Sequence, residues 1–359
     1  MGVFERADVE GFEQVTFVHD DATGLQAIVA IHSTALGPSL GGTRFKPYAS
    51  EHDALVDVCR LARGMTYKHA VCGNDLGGGK AVIIGDPSAV RTDDLIRAYG
   101  RAVGWLGGRY LTAEDVGTTQ ADMDLLLTVT PYVTGASEAV GGSGDPSPAT
   151  AWGVMHAMHA VAERTWGDRT LADRHVVVSG VGKVGRALVH HLVDAGCRVT
   201  ISDVRGDVVR EVVAELGVAT TEPELAHAVP CDLFSPCALG GVLNARTIPD
   251  LRCAAVCGCA NNQLGEDADG DRLAAASIIY APDFVANAGG VINIADETSP
   301  GGYDRTRAWA RVAGIEATMR SVFARADADA VTPAEAADRI AEDRLAAAAG
   351  AGGGAARPR

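Results

Sequence analysis

A chain of 359 residues with 47% apolar and 21% charged side chains reads as globular and is long enough for about two domains, each with its own core. A net charge of -15 and a pI near 5.0 exclude nucleic acid and anionic membrane as partners, because a like-charged surface repels phosphate at long range. The expected partner is a small molecule, and with no run of membrane-span length and no signal-like stretch in the acidic start, the expected address is the cytoplasm.

In chain order, the apolar run Gln26 to Ile31 predicts a strand. Ser50 to Ala70 predicts a helix capped by Ser50, with Ala54, Leu55, Val58, Leu61, Ala62 and Met65 recurring at three and four. The strand Ala81 to Ile84 follows. Thr92-Asp93-Asp94 supplies a cap and two acids for a second helix, which Gly107-Gly108 closes before a strand from Arg109 to Ala113. A short helix spans Asp122 to Val129. This alternation predicts α/β layers with a largely parallel sheet.

The turn-rich segment Gly141 to Pro146 marks a hinge near a domain boundary. Beyond it, a helix from Ser147 to Arg164, the strand Val176 to Val178, a glycine turn, a helix from Arg186 to Ala195 and a strand from Arg198 to Ser202 contain one βαβ unit. Helices over Asp304 to Ala324 and Pro333 to Ala349 close the fold, and the Gly/Ala-rich tail from Gly350 is expected to fray.

The turn itself is Gly180-Val181-Gly182-Lys183-Val184-Gly185. Alone, GxGxxG is a weak signal, but here it follows three valines, opens a helix with an apolar face and precedes Asp203 at the next strand end. Gly180 permits the tight turn, Gly182 lets backbone approach a pyrophosphate, and Gly185 lets helix and strand pack closely. The helix N-terminus offers its free N–H groups to the phosphates. Asp203 would accept hydrogen bonds from ribose hydroxyls and repel a 2'-phosphate, which favours NAD over NADP; Arg205 partly offsets that repulsion.

Lys80 stands between three glycines and an apolar strand, so burial is expected to lower its pKa toward a useful general base. Lys68 follows Met65 by three on one helix and suits a substrate carboxylate as a point charge. From spacing alone, surface lysines with snorkelling stems fit equally well. Of the neighbours Glu114 and Asp115, just past a strand end, one is expected to face the chemistry. The eight cysteines make no C-x-x-C pair, and the pairs His156/His159 and His190/His191 have no third ligand nearby in sequence, so no metal site is expected.

Gly41-Gly42-Thr43-Arg44, the stretch Met65 to Lys80, Thr112-Ala113-Glu114-Asp115-Val116-Gly117-Thr118, the glycine turn, Ala260-Asn261-Asn262-Gln263 and Pro282 to Gly290 together resemble the glutamate/leucine/phenylalanine/valine dehydrogenases. The likeness runs from 12 to 345 and is closest to the leucine and valine members. It implies reversible oxidative deamination of an L-amino acid by NAD and water to a 2-oxo acid, ammonium and NADH.

The resemblance also implies an α/β fold of two domains. Residues 1–140 would be the substrate and catalytic domain, with helices from 328 to 359 packing back on it. Residues 141–327 would be a Rossmann NAD-binding domain, and the active site would lie in the cleft between the two. By the same resemblance Lys68 holds the substrate carboxylate with help from Asn262, and Gly41 and Met65 lie at the substrate. Lys80 activates the water that attacks the imine, and Asp115 moves protons at the nitrogen. Asn261, Asn287 and Thr150 contact the cofactor.

By the same resemblance the side-chain pocket falls on Leu40, Ala113, Val291 and Ile294, all apolar, which disfavours glutamate; the bulk of Ile294 tilts the choice to valine or leucine. A phenylalanine dehydrogenase is the same-fold alternative, and a non-catalytic NAD-binding protein the alternative of another class. A homo-oligomer is expected from the resemblance.

Overall fold

The computed structural model describes residues 10–350. The acidic start at 1–9 and the tail beyond Gly350 lie outside the described residues. The chain divides into two compact units. Within the described residues the first comprises 10–145, Ile294–Arg305 and 341–350, and the second Pro146–Asn293 and Thr306–Ile340. The divisions thus fall after Asp145 and again at 294, 306 and 341, where the sequence reading divides the chain at 141 and 328.

The first unit opens with strands β1 (Gln14–Asp20), β2 (Leu25–Ser33) and β3 (Ser39–Lys46), then helix α1 (Glu51–Val71) and strand β4 (Gly77–Ile84). Helices α2 (Pro87–Val90) and α3 (Asp93–Trp105), strand β5 (Tyr110–Glu114) and helix α4 (Gln120–Leu127) follow. The sheet order is β1-β2-β4-β3-β5. Its pairings are mixed: β1 with β2 and β2 with β4 run antiparallel, and β3 lies parallel to both β4 and β5. The expected largely parallel sheet is therefore corrected for this unit. Two strands joined by a short turn, as β1 and β2 are, pair antiparallel without a crossover helix.

Alternation along the strands builds two cores. Ala27, Val29 and Ile31 face α3 and α4 with Phe45, Ile96, Tyr99 and Met123, whereas Ile28, Ala30 and Val82 pack on Ala54, Val58, Cys59 and Ala62 of α1. Each fully buried Ile or Val contributes about 1.5–3 kcal/mol relative to exposure. The hydroxyl of Ser50 accepts from the Asp53 amide and that of Thr92 from the Leu95 amide, starting α1 and α3 as their capping residues predict.

The second unit contains α5 (Ser147–Trp166), β6 (His175–Ser179), α6 (Lys183–Asp194), β7 (Arg198–Ser202), α7 (Gly206–Leu216), β8 (Ala219–Thr220), β9 (Leu233–Pro236), β10 (Ala255–Val256), α8 (Ala268–Ala275), β11 (Ile279–Tyr280) and α9 (Asp283–Ala286). Helix α10 (Gly289–Ala295) leads out of it. Helices α11 (Arg305–Ala313), α12 (Ile315–Asp329) and α13 (Pro333–Gly350) complete the chain. One helix expected across Asp304 to Ala324 is two, interrupted at Gly314.

Every pairing in the second sheet is parallel, in the order β11-β10-β9-β6-β7-β8. The strand order reverses at β6, the position where doubly wound sheets bind their ligands.

Candidate active site

The second unit presents its glycine turn at that reversal. Gly180 has φ +107, and a Cβ there would press on Ala238; one on Gly185 would overlap the carbonyl oxygen of Gly180. Gly182, the N-cap of α6, differs from both: a Cβ on it would meet nothing within 4 Å, and no side chain caps the helix. The start of α6 therefore has the uncapped geometry at which helix N-termini take anions. Val181 is buried, Val184 half-buried and Lys183 exposed.

Asp203 follows β7 and is held by the turn it serves. Its Oδ2 accepts from the Val181 amide at 2.9 Å, and its Oδ1 from the Arg205 amide at 2.9 Å. The Arg205 guanidinium lies 3.7 Å from Oδ1. Asn261, after β10, and Asn287, after α9, are brought together: the Asn287 amide donates to Asn261 Oδ1 at 2.8 Å and to the Cys259 carbonyl at 3.1 Å. Asn262 is exposed with φ +52, and its carbonyl accepts from the Gly241 amide at 2.7 Å. Thr150, in the first turn of α5, donates to the Pro146 carbonyl at 2.9 Å. An open glycine, an uncapped helix start and an anchored carboxylate fit a dinucleotide.

The first unit carries the charged groups. Lys80 is the fourth residue of β4, where the sequence reading starts the strand only at Ala81. Its strand neighbours Gly78 and Val82 face α1: a Cβ on Gly78 would overlap the Thr66 backbone, and Val82 packs on the apolar face of that helix. Lys80 thus points to the α1 side. There its ammonium forms an ion pair with Asp115 Oδ2, the two side chains being 9% and 15% exposed.

Burial works against a charged Asp115, but Lys80 and Arg44, together with the Val116 amide, hold its carboxyl below the usual range. Glu114, its neighbour, is half-buried at the end of β5. The expectation that burial alone governs Lys80 did not include a carboxylate in contact with it.

Lys68 is half-buried in the last turn of α1, on the helix that covers this face. The C-terminus of that helix is tied down from two directions. Buried His69 lies 3.4 Å from the Leu40 carbonyl and 3.2 Å from the Asn74 amide, and burial lowers its pKa to about 3. Arg344 of α13 donates to the carbonyls of His69 and Ala70 at 3.2 and 3.0 Å and to Asp75 at 2.7 Å. Tyr67 donates to Glu342 at 3.0 Å.

Three of the four expected pocket residues share one apolar cluster. Leu40, Ala113 and Ile294 are buried with Leu76 and Ala295, and Met65 and Leu111 pack against them half-buried. Val291, half-buried, lies one turn earlier on α10 and belongs to the second unit. Gly41 is buried in β3, where a Cβ would overlap the Gly79 carbonyl oxygen. The sequence reading quoted Arg44 only within a family motif, without a role, and did not single out Asp57, Tyr48, Glu297 or Arg344. Glu297 accepts from the amides of Gly135 and Ser143 and so pins the loop before α5. Arg44, Tyr48 and Asp57 lie close in sequence, but their contacts come from the docking of β3 on α1, and Glu297 and Arg344 come from far along the chain.

Among the described residues no three or more His, Cys, Asp or Glu are grouped to hold a metal, and no helix is long and apolar enough to cross a membrane.

A doubly wound parallel sheet with a glycine turn in one unit and a buried Lys–Asp pair in the other define a dinucleotide-dependent oxidoreductase. Residues 12–132 match the Glu/Leu/Phe/Val dehydrogenase dimerisation domain, and residues 141–217 and 210–351 match the Glutamate/Leucine/Phenylalanine/Valine dehydrogenase family. The chain is 52% identical over 344 residues to a valine dehydrogenase of Streptomyces coelicolor, covering 95% of this chain and 94% of that one. It is 48% identical over 345 residues to a leucine dehydrogenase of Geobacillus stearothermophilus, covering 96% and 94%. The crystal structure of L-tryptophan dehydrogenase from Nostoc punctiforme superposes with a TM-score of 0.84 at 41% identity, covering 97% of this chain and 99% of that one. The chain belongs to the glutamate/leucine/phenylalanine/valine dehydrogenase family and is an NAD-dependent amino-acid dehydrogenase.

Proposed function

We propose that this enzyme oxidises a branched-chain L-amino acid, valine or leucine, to its 2-oxo acid and ammonium. The observation that carries the reading is the apolar cluster of Leu40, Ala113, Ile294 and Met65 in the same unit as the Lys80–Asp115 pair. The residues assigned to the pocket are themselves apolar and offer no cation to a side-chain carboxylate, and the relatives named for valine and leucine support the same class.

In this reading Lys68 holds the substrate carboxylate from the end of α1, with Asn262 assisting. Asp115 carries protons to and from the substrate nitrogen. Lys80 takes the proton of the water that adds to the imine carbon and returns it as ammonia leaves. Bound NAD supplies the hydride acceptor. Gly182 and the open start of α6 would receive its pyrophosphate, Asp203 its adenosine ribose, Asn261 and Asn287 other parts of it, and Thr150 its nicotinamide.

An NADH-absorbance assay of the purified protein with valine, leucine, isoleucine, phenylalanine, tryptophan and glutamate tests the substrate. The highest kcat/KM is expected for an aliphatic branched chain, with overlap among them because one methylene is worth only about 1–3 kcal/mol. A preference for phenylalanine or tryptophan would overturn the pocket assignment. The enzyme is further proposed to be a cytoplasmic homo-oligomer, supported for the assembly by the description of the 12–132 match as a dimerisation domain. A monomeric mass in light scattering would refute the assembly.

A further inference from the structure

Behind the Lys80–Asp115 pair lies a second layer of charge. Arg44, on β3, is aligned with Val82 of the neighbouring strand β4 and reaches the α1 side of the sheet. Its Nη2 lies 3.8 Å from Asp115 Oδ1. Its Nη1 donates to both carboxylate oxygens of Asp57, on α1, at 3.2 and 3.0 Å. Asp57 is itself held: the Tyr48 hydroxyl donates to it at 2.7 Å, and the Lys46 ammonium lies 3.7 Å away and over the Tyr48 ring. The Arg44 Nε is buried without a hydrogen-bond partner. The guanidinium is therefore placed to bridge two carboxylates, at the cost of leaving one of its own donors unused.

We propose that Arg44 is a positioning residue for deamination: clamped by Asp57, it keeps Asp115 ionised and aimed at Lys80 while Lys80 exchanges its proton. The inference rests on the functional reading above. In that reading Lys80 must lose its charge once in each turnover. At that moment a buried Asp115 with no other cation would draw a proton to itself and cease to be available as an acceptor. An arginine prevents this because it stays charged at every working pH. The groups facing Asp115 come from three elements: Lys80 from β4, Arg44 from β3 and the Val116 amide from its own loop. Those facing Arg44 are Asp115, Asp57 from α1 and Tyr48. The lowered pKa of Asp115 agrees in sign with this arrangement.

The test is the pH profile of kcat/KM for the preferred amino acid in Arg44→Met and Arg44→Lys. With the charge removed in Arg44→Met, the acid limb is expected to move up by about one pH unit. The rate at the optimum is expected to fall at least ~10-fold, with NADH binding unchanged. Arg44→Lys should return the limb to within a few tenths of a unit of the unmodified enzyme, because the charge is back. If Arg44→Met does not fold, Arg44→Gln, which keeps a donor for Asp57, carries the same expectation. An acid limb that does not move in the neutral variant, whether the rate is retained or lost equally at all pH values, would overturn the role. Failure of the unmodified protein to oxidise any of the amino acids would instead refute the functional reading.

Discussion

A methyl group placed on Gly41 or Gly78 of the first unit would run into backbone of the neighbouring strand or of α1; the same group on Gly182 of the second unit would project into open space. The first unit uses glycine to bring its own elements together. Strands β3 and β4 come close enough to put Lys80 and Arg44 on the sheet face that α1 covers, and the glycines are filled against from inside. In the second unit Gly180 and Gly185 are packed in the same way, but among the described residues nothing lies within 4 Å of where a Cβ on Gly182 would be. Glycine-rich sequence thus has two meanings that only packing separates: one kind shapes a catalytic surface, and the other reserves a ligand site.

The sharpest break between the units is expected from Lys80→Ala. The first unit should lose its chemistry, with amino-acid oxidation falling by about 10²–10⁴-fold, while NADH titration by fluorescence reports unchanged binding to the second. Turnover at the unmodified rate would sink the assigned role. Arg44 remains beside Asp115 in this variant, so the carboxylate is not left without a cation.

Next in size is Gly78→Ala, which forces a methyl onto the Thr66 backbone and should destabilise the protein by at least ~1–3 kcal/mol, the range for overpacking. The mirror experiment is Gly182→Ala. It should lower the melting temperature by no more than a few degrees, the cost of alanine at an N-cap, and weaken NADH binding about 10-fold, a loss of ~1.4 kcal/mol. If Gly182→Ala lowered the melting temperature as much as Gly78→Ala, or left NADH affinity untouched, the distinction between packing and ligand glycines would not hold.

The same distinction explains what could be read from sequence. The valines before the glycine turn, the turn itself and Asp203 lie within 176–203, and local pattern carried that βαβ unit nearly intact: β7 begins and ends where expected, at Arg198 and Ser202. The first sheet was harder. Gly41-Gly42 and Gly77-Gly78-Gly79 have the composition of turns, yet they lie inside β3 and β4. Glycine is disfavoured in strands, and here close approach outweighs that preference. The antiparallel pairings of β1 and β2 were missed because β1 is a half-buried strand at the sheet edge with little alternation to mark it. In the site, the family motifs pointed to Lys80 and Asp115. That the two touch, and that Arg44 and Asp57 stand behind them, follows from the register of β3 on β4 and the docking of α1. No local spacing encodes either.

The grip of Arg344 on the end of α1 joins residues 274 and 275 positions apart. On a ribosome the sheet of the first unit emerges early, but the guanidinium that satisfies the last carbonyls of α1 emerges only after the intervening dinucleotide unit has been made. The turn bearing Lys68 is therefore completed by a segment synthesised after the second unit, which runs to Ile340. A polypeptide halted in the second unit would lack Arg344 and leave the His69 and Ala70 carbonyls without that donor, beside the Lys68 proposed to hold the substrate carboxylate.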